Sequence, residues 1–396
     1  MGIFMDIFAA LLKVVTLYTV LTGVFFLLPV KRYPVAAPKT RFAVLIPARD
    51  EEKVIGAIIE SLRRQDYPRE LYDIIVVANN CTDNTETAAR RAGAMVLTCR
   101  EPVRCKGDVL HEAFAQLMGK YDAYCVFDAD NIADPAFLAR MNDAAAVGVQ
   151  VAKSRQKALN PYDNWISGSY DIYFEYFHLL FNRPRTVLPL SCKLVGTGFM
   201  VTDSLLQRMG GWNTVTMSED FEFAAQCAQL GVRVHYVADA LTLDEQPLSF
   251  RVSLRQRRRW SGGVQSVANR YVPKLLGMKP SWLRWDMAQH VTMIYVQMLA
   301  LIPVAYNLLG LAPLEIVKTL GISLALFWLG TSFTALCMTV TARRNVAKMW
   351  AAILLYPLFT ASWYPLHLMS LFVKPKAWKY IAHGTDKNRR DKTPAA

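Results

Sequence analysis

Four long apolar runs, at about residues 7–30, 286–312, 318–341 and 348–373, constrain this chain more than any other feature. Each exceeds the ~20 residues that a helix rising ~1.5 Å per residue needs to cross a hydrocarbon core of ~30 Å. With 396 residues, 53% of them hydrophobic, part of the chain must lie in lipid. Between the first and second runs stands a long stretch of ordinary globular composition. The expected plan is a membrane anchor at 1–32, a water-soluble domain at 40–245, an amphipathic interfacial connector at 246–285, a membrane region at 286–373 and a basic tail at 374–396.

The first run is longer than the ~7–15-residue apolar core of a secretory signal, and no small-x-small site follows it closely, so it reads as an uncleaved anchor. Lys31, Arg32, Lys39 and Arg41 come next, which by the positive-inside rule places the globular domain in the cytosol of a multi-pass cell-membrane protein. Basic residues flank the fourth run on both sides, Arg343, Arg344 and Lys348 before it and Lys374, Lys376 and Lys379 after it. With Pro357 and Pro365 inside, that run reads either as a re-entrant or interfacial segment or as an ordinary fourth crossing. The seven cysteines show no C-x-x-C pair and no zinc-type spacing, as suits reduced thiols in a cytosolic domain. The net charge of +13 is densest at 251–259 and after 374, beside membrane runs, which points to anionic headgroups rather than nucleic acid.

Within the soluble stretch, 42–47, 72–78, 94–99 and 123–130 read as short buried strands, separated by helical patterns at 51–64, 82–92 and 106–119. Strands and helices alternating in this way give an α/β fold with a mostly parallel sheet, whose ligands bind at the carboxyl ends of the strands. Pro47 is expected to stop the first strand, with Arg49, Asp50 and Glu51 capping the helix after it. Thr82 or Asp83 offers an N-cap after the second strand, and Asn79 and Asn80 suit a turn or the recognition of a base or ribose. The fourth strand ends in Asp128 and Asp130, two carboxylates that raise each other's pKa unless a cation stands between them. Such hard oxygen ligands suit Mg²⁺ or Mn²⁺ shared with a diphosphate.

Lys106 and Gly107 open a helix in the same crevice, where a lysine and free backbone N–H groups can meet phosphate. Gly196 and Gly198 flank Thr197 and allow a ligand close to the backbone, or a tight turn. Glu219 and Asp220 follow Ser218, a plausible N-cap, at the start of a further helix. Last, "QRRRW" at 256–260 brings Gln256, Arg259 and Trp260 into an amphipathic helix suited to the membrane surface.

Taken in order over about residues 40–263, "PARDEE", "NNCTD", "KG", "DAD", "GTG", "SED" and "QRRRW" resemble the membrane-integrated family-2 glycosyltransferases, relatives of cellulose, hyaluronan and poly-N-acetylglucosamine synthases. The resemblance implies a GT-A type nucleotide-sugar domain, a UDP-sugar donor, a divalent metal and inversion at the anomeric carbon. Carried over by position, it sets Ala48, Arg49, Glu51, Asn80 and Asp83 toward the uridine, Lys106 toward the diphosphate, Asp128 toward ribose and metal, and Asp130 toward the metal. It makes Asp220 the general base beside Glu219, and places Gln256, Arg259 and Trp260 near the acceptor and pyrophosphate. The chain departs from the pattern at Asn79 and Asn80, where many relatives carry an acid.

An acceptor hydroxyl is a poor nucleophile, so a carboxylate must take its proton while cations neutralise the departing UDP. The expected product is a β-linked polysaccharide made at the membrane, and the alternative is a membrane lipid that receives one sugar. Three or four hydrophobic runs offer few helices to enclose a hydrated chain, so export of a polymer calls for a partner subunit. Of the other classes, a sugar nucleotidyltransferase needs neither QRRRW nor an anchor, and a lipid-surface scaffold has no use for a metal-type acid pair.

Overall fold

The computed structural model describes residues 2–100 and 103–372, so the expected basic tail at 374–396 lies outside the described residues. The chain opens with helix α1 (Gly2–Val24). Strand β1 (Phe42–Ala48), helix α2 (Ile55–Arg63), strand β2 (Tyr72–Ala78), helix α3 (Thr85–Arg91) and strand β3 (Met95–Thr98) then build two βαβ units. Helix α4 (Lys106–Leu117) returns to β4 (Ala123–Val126), which is followed by β5 (Asn131–Ala133), α5 (Phe137–Ala146), β6 (Val151–Ala158) and α6 (Trp165–Tyr176). Strand β7 (Phe199–Thr202), α7 (Asp203–Met209), α8 (Glu219–Gln229) and β8 (His235–Asp244) complete the domain.

The eight strands form one sheet in the order β3-β2-β1-β4-β7-β6-β8-β5. Its first four strands are parallel, and β7 runs antiparallel between β4 and β6. The two-residue alternation of β1 sends Ala43 and Leu45 into a core with Leu110, Phe114 and Trp212, and Val44 and Ile46 into a second core with Ile55, Ile59 and Phe137. The sheet is thus covered on both faces, as expected of an α/β fold with a mostly parallel sheet.

Several local expectations are corrected. Strand β1 runs through Pro47 and stays in register with β2 to Ala48. Its pairing with β4 ends at Leu45, whose carbonyl accepts from the Phe127 amide, so Pro47 lacks its N–H on the side that β4 has already left. Strand β4 stops at Val126, and Asp128 and Asp130 stand in the turn before β5. Helix α2 starts four residues later than expected and α3 three, because the acids before them bond across the loops rather than cap their own helices. Asp50, at φ +57°, accepts from the Thr82 amide at 2.6 Å, and Asp83 accepts from the Glu52 amide at 3.0 Å. At α8, Ser218 occupies the N-cap position without a side-chain cap bond, and Glu222 takes the Val215 and Thr216 amides instead.

After the sheet come α9 (Phe250–Leu276), α10 (Trp282–Leu299), α11 (Leu301–Leu308), α12 (Pro313–Thr341), α13 (Val346–Ala361) and α14 (Trp363–Phe372). Among the described residues four stretches are long and apolar enough to cross a membrane: Met5–Leu27, Trp282–Leu308, Pro313–Thr341 and Val346–Phe372. The last is divided at Ser362 into α13, which carries Pro357, and α14. Helix α13 packs on α12 and α6, and α14 packs on α9.

Candidate active site

Lys106 begins α4 with its side chain turned back toward the carboxyl ends of the parallel strands, where Nζ bonds both Asp128 Oδ1 and the Gly196 carbonyl. Gly107 is what lets this helix start come so close to α8. A Cβ there would stand 2.7 Å from Thr214 Oγ1 and 3.3 Å from the Glu219 Cβ. The backbone of Gly196 threads the same gap: a Cβ on it would meet Asp128 Oδ2 at 3.7 Å and Asp220 Oδ2 and Lys106 Nζ at 3.8 Å. Two helix starts and two strand-end loops therefore converge on one point.

Thr197 is 2% exposed, and its hydroxyl holds the turn in shape by accepting from the Asp128 amide and donating to Asn131 Oδ1. Asn131 also donates to Asp130 Oδ1 at 3.1 Å and to Asp244 Oδ1 at 3.0 Å, fixing the second aspartate. Gly198, at φ +60°, is enclosed by Ser154 and Thr242, leaving no room for a side chain.

The QRRRW helix is docked by a second glycine contact. A Cβ on Gly263 would lie 2.9 Å from the Ser218 Cβ, so α9 meets the N-terminal end of α8 at backbone distance. Gln256, Arg259 and Trp260, three and four residues apart, share one face of α9 and turn toward Glu219 and Asp220. Arg257, on another face, is fully buried, donates to the Phe359 carbonyl at 2.8 Å and lies over the Phe359 and Trp363 rings, tying α9 to α13 and α14.

Electrostatics follow from this crowding of acids. Burial, with the neighbouring Asp220 charge adding to it, pushes the Glu219 carboxyl up to about 7. Burial raises Asp220 as well, against the Phe221 and Gly196 amides and Lys106, which favour its charge. For Lys106, burial works against the charge but is outweighed by Asp128, Glu219 and Asp220, and its pKa rises. Burial lowers Arg259 despite the same three acids. Among the described residues no group of three His, Cys, Asp or Glu is arranged to hold a metal.

Around these residues lies a cavity of about 760 Å³. At one end it is lined by Arg49, Glu51, Lys106, Asp128, Asp130, Gly196, Thr197, Glu219 and Asp220. It then passes Gln256, Arg259 and Trp260 and continues between Tyr18 of α1, His290 of α10, Thr331 of α12 and Tyr364 of α14. Of the residues expected at the site, Ala48, Asn80, Asp83 and Gly198 do not line it. Ala48 and Gly198 are packed within the sheet, Asp83 is held by Thr85, and Asn80 donates to the Val103 carbonyl at 3.1 Å. Asn79 lines the cavity instead.

The structure adds wall residues that carry no sequence motif. Lys153 of β6 is 1% exposed, and burial lowers its pKa to about 8. After α6 the helix widens into a π-helical turn, Phe177–Asn182, which presents Phe177, His178, Phe181 and Asn182 to the cavity. Lys193 reaches in from the segment before β7.

Residues 38–263 match the profile of the family described as Glycosyltransferase like family 2. The chain is 26% identical over 357 residues to the probable glycosyltransferase YdaM of Bacillus subtilis, covering 85% of this chain and 83% of that one. It is 27% identical over 243 residues to the beta-monoglucosyldiacylglycerol synthase of Synechocystis, covering 58% of this chain but only 49% of the synthase. Among solved structures, the mannosyltransferase PcManGT from Pyrobaculum calidifontis, in complex with GDP-Man and Mn²⁺, superposes with a TM-score of 0.62 at 17% identity, over 92% of this chain and 99% of that one. That likeness shows the GT-A fold.

Proposed function

The chain belongs to glycosyltransferase family 2, and from that premise we propose that it transfers one sugar from a UDP-sugar to a hydroxyl of a membrane lipid, with inversion at the anomeric carbon. The observation that carries this reading is the cavity itself, one space that joins the acid cluster to the faces of four apolar helices. A lipid can reach Asp220 through it with its tails against α10 and α12. The diacylglycerol glucosylation named for the Synechocystis relative supports the same acceptor class.

Asp220 is the proposed base. Its raised pKa matches a carboxylate that must gain a proton as the acceptor oxygen attacks, and the Gly196 and Phe221 amides hold it in place. Glu219, held partly protonated near neutral pH by burial and the Asp220 charge, positions the acceptor or the base without adding a second full charge. Lys106 and Arg259 face the leaving diphosphate, Trp260 and Gln256 border the acceptor, and Arg49 and Glu51 face the nucleoside. Asp128 and Asp130 fit Mg²⁺ or Mn²⁺ as hard oxygen donors that line the same cavity as Glu219 and Asp220, where a divalent cation would offset the negative charge. When bound, that ion neutralises charge on the departing diphosphate.

A β-linked polysaccharide is the second reading, favoured by an aromatic row along the cavity. Trp260 stacks on Trp363 at 6.4 Å and Trp363 on Tyr173 at 6.0 Å, a surface on which a saccharide can lie. Family membership weighs against the non-catalytic scaffold. The deciding experiment gives the purified protein a panel of UDP- and GDP-sugars with Mg²⁺ or Mn²⁺ and lipid vesicles, follows nucleotide release and sizes the product. One lipid bearing one sugar supports the proposal, and an extending glycan overturns it.

The proposed topology keeps residues 40–245 in the cytosol, with both halves of the last apolar run held against the catalytic side through α6 and α9. A cysteine introduced at 390 should then resist labelling from outside intact cells, whereas labelling there would establish a fourth crossing.

A further inference from the structure

The proposed transfer makes no use of Lys193, Arg185 and His290, basic side chains that line the same cavity as the acids. Lys193 Nζ lies 3.6 Å from the Phe177 ring centroid, 5.5 Å from that of Phe221 and 3.3 Å from the Tyr173 hydroxyl. Among the described residues no carboxylate forms an ion pair with it. Burial lowers its pKa to about 7, and Asp220 is the one acid that counteracts this. Arg185, 4% exposed, donates to Asp286 Oδ1 at 2.7 Å and to the Phe181 carbonyl at 3.1 Å, while its Nε has no partner. Its guanidinium lies 3.5 Å over the Phe181 ring, and the His290 ring packs on Phe181 at 4.4 Å and on Phe221 at 5.4 Å. All three basic side chains line the cavity, with Asp286 the one acid bonded among them.

A half-buried ammonium against the rings of Phe177, Phe221 and Tyr173 gains some cation–π attraction but is left short of charge compensation. A bound anion would supply it. We propose that Lys193, with Arg185 and His290, binds the phosphate of the acceptor, and that the acceptor is a phospholipid whose headgroup carries both a free hydroxyl and a phosphodiester. The inference rests on the reading of the acceptor as a lipid and narrows it to an anionic one. The need for a hydroxyl follows from Asp220, since an acceptor attacking through a phosphate oxygen would have no proton to surrender at neutral pH. In the step itself, the headgroup oxygen bonds the anomeric carbon as the bond to the UDP oxygen breaks. Asp220 receives the hydroxyl proton, UDP leaves with the electron pair, and the phosphodiester is unchanged.

The test reconstitutes the full-length protein in phosphatidylcholine vesicles doped with either phosphatidylglycerol, which has hydroxyls and a phosphodiester, or diacylglycerol, which has only the hydroxyl. With the best nucleotide sugar from the donor panel, the wild type is expected to show an acceptor KM about 10-fold or more lower for phosphatidylglycerol, the scale of one hydrogen bond to a charged group. Lys193→Met should bring the ratio of the two KM values close to one, and Lys193→Arg should retain most of it. Because each ratio is taken within one protein, a loss of folded material cancels. Equal use of both lipids by the wild type, or an unchanged ratio in Lys193→Met, overturns the anionic subsite while leaving the lipid acceptor standing. If neither lipid is glycosylated, the lipid reading falls as well.

Discussion

The two ends of the cavity are built in opposite ways. At the proposed donor end, backbone does the placing: Gly107, Gly196 and Gly263 bring helix starts and loops together around Asp128, Glu219, Asp220, Lys106 and Arg259. Toward the apolar helices, side chains do it, as α1, α10, α12 and the π-helical turn each add several polar, apolar and aromatic side chains, with basic groups set among the rings. A reacting centre must hold charged atoms to within fractions of an ångström, which short backbone contacts can enforce. A site for an acceptor needs shape and a sign of charge, which scattered side chains supply.

The comparison is broken most severely at Asp220. Asp220→Asn should cut transfer by about 10²-fold or more while leaving UDP binding intact, measured as nucleotide release beside equilibrium binding. Near-normal turnover would reduce the acid pair to helix-start chemistry and make the two ends alike in having no reacting group. Asp130→Ala should weaken metal-dependent donor binding by about 10-fold or more, and calorimetric titration with and without Mn²⁺ reads the difference. An unchanged affinity would take Asp130 out of the metal site.

A smaller effect should separate backbone placement from side-chain placement. Gly263→Ala drives a Cβ into Ser218 and shifts Arg259 and Trp260 away from Asp220. Transfer should fall about 10-fold with donor binding kept, since a displacement near 1 Å can cost up to about 10²-fold. Trimming a side chain of the opposite wall, as in Thr331→Ala, should leave turnover within about twofold, because its ordinary hydroxyl bonds are to its own helix.

The mildest effect concerns stability. Glu219 ionises near 4.5 when exposed and near 7 when folded, so its ionisation favours the unfolded chain. Its contribution is fully present below about pH 4.5 and is lost as pH rises through about 7. Glu219→Gln should therefore melt a few degrees higher than the wild type at pH 8 and together with it at pH 4.5. Thermal scans across that window, repeated with Mn²⁺ and UDP, should show the gap shrink when ligand is bound.

The donor end could be read in the sequence because residues that cooperate there are also neighbours in the chain: "DAD", "GTG", "SED" and "QRRRW" each mark one backbone junction. What misled was local bonding. Asp50 and Asp83 look like helix caps, yet Asp50 accepts from Thr82 thirty-two residues away, and both helices start later than their acids suggest. Strand β4 was drawn too long because Phe127 and Ala129 are buried although they have left the ladder. Strand β6, "VAKSRQKA", shows no strand pattern because five consecutive residues are polar, although Lys153 and Ser154 among them are buried. The membrane end left no signature at all, for one lysine before β7 and one histidine on α10 become a site only through tertiary packing.

The bond between Tyr18, Arg185 and Asp286 bears on how the protein is made. Asp286 opens the second turn of α10, is 1% exposed, and accepts from Tyr18 of α1 at 2.8 Å and from Arg185 at 2.7 Å. Stripping one partner from such a buried pair costs about 3–5 kcal/mol. Both partners precede Asp286 on the ribosome, so its charge can be met as soon as α10 emerges, provided the sugar-nucleotide domain has already folded and brought Arg185 to the bilayer. On the proposed topology, synthesis order matches the order of electrostatic need: α1 comes first, the domain that carries Arg185 folds next, and only then does α10 find the two groups that let it settle.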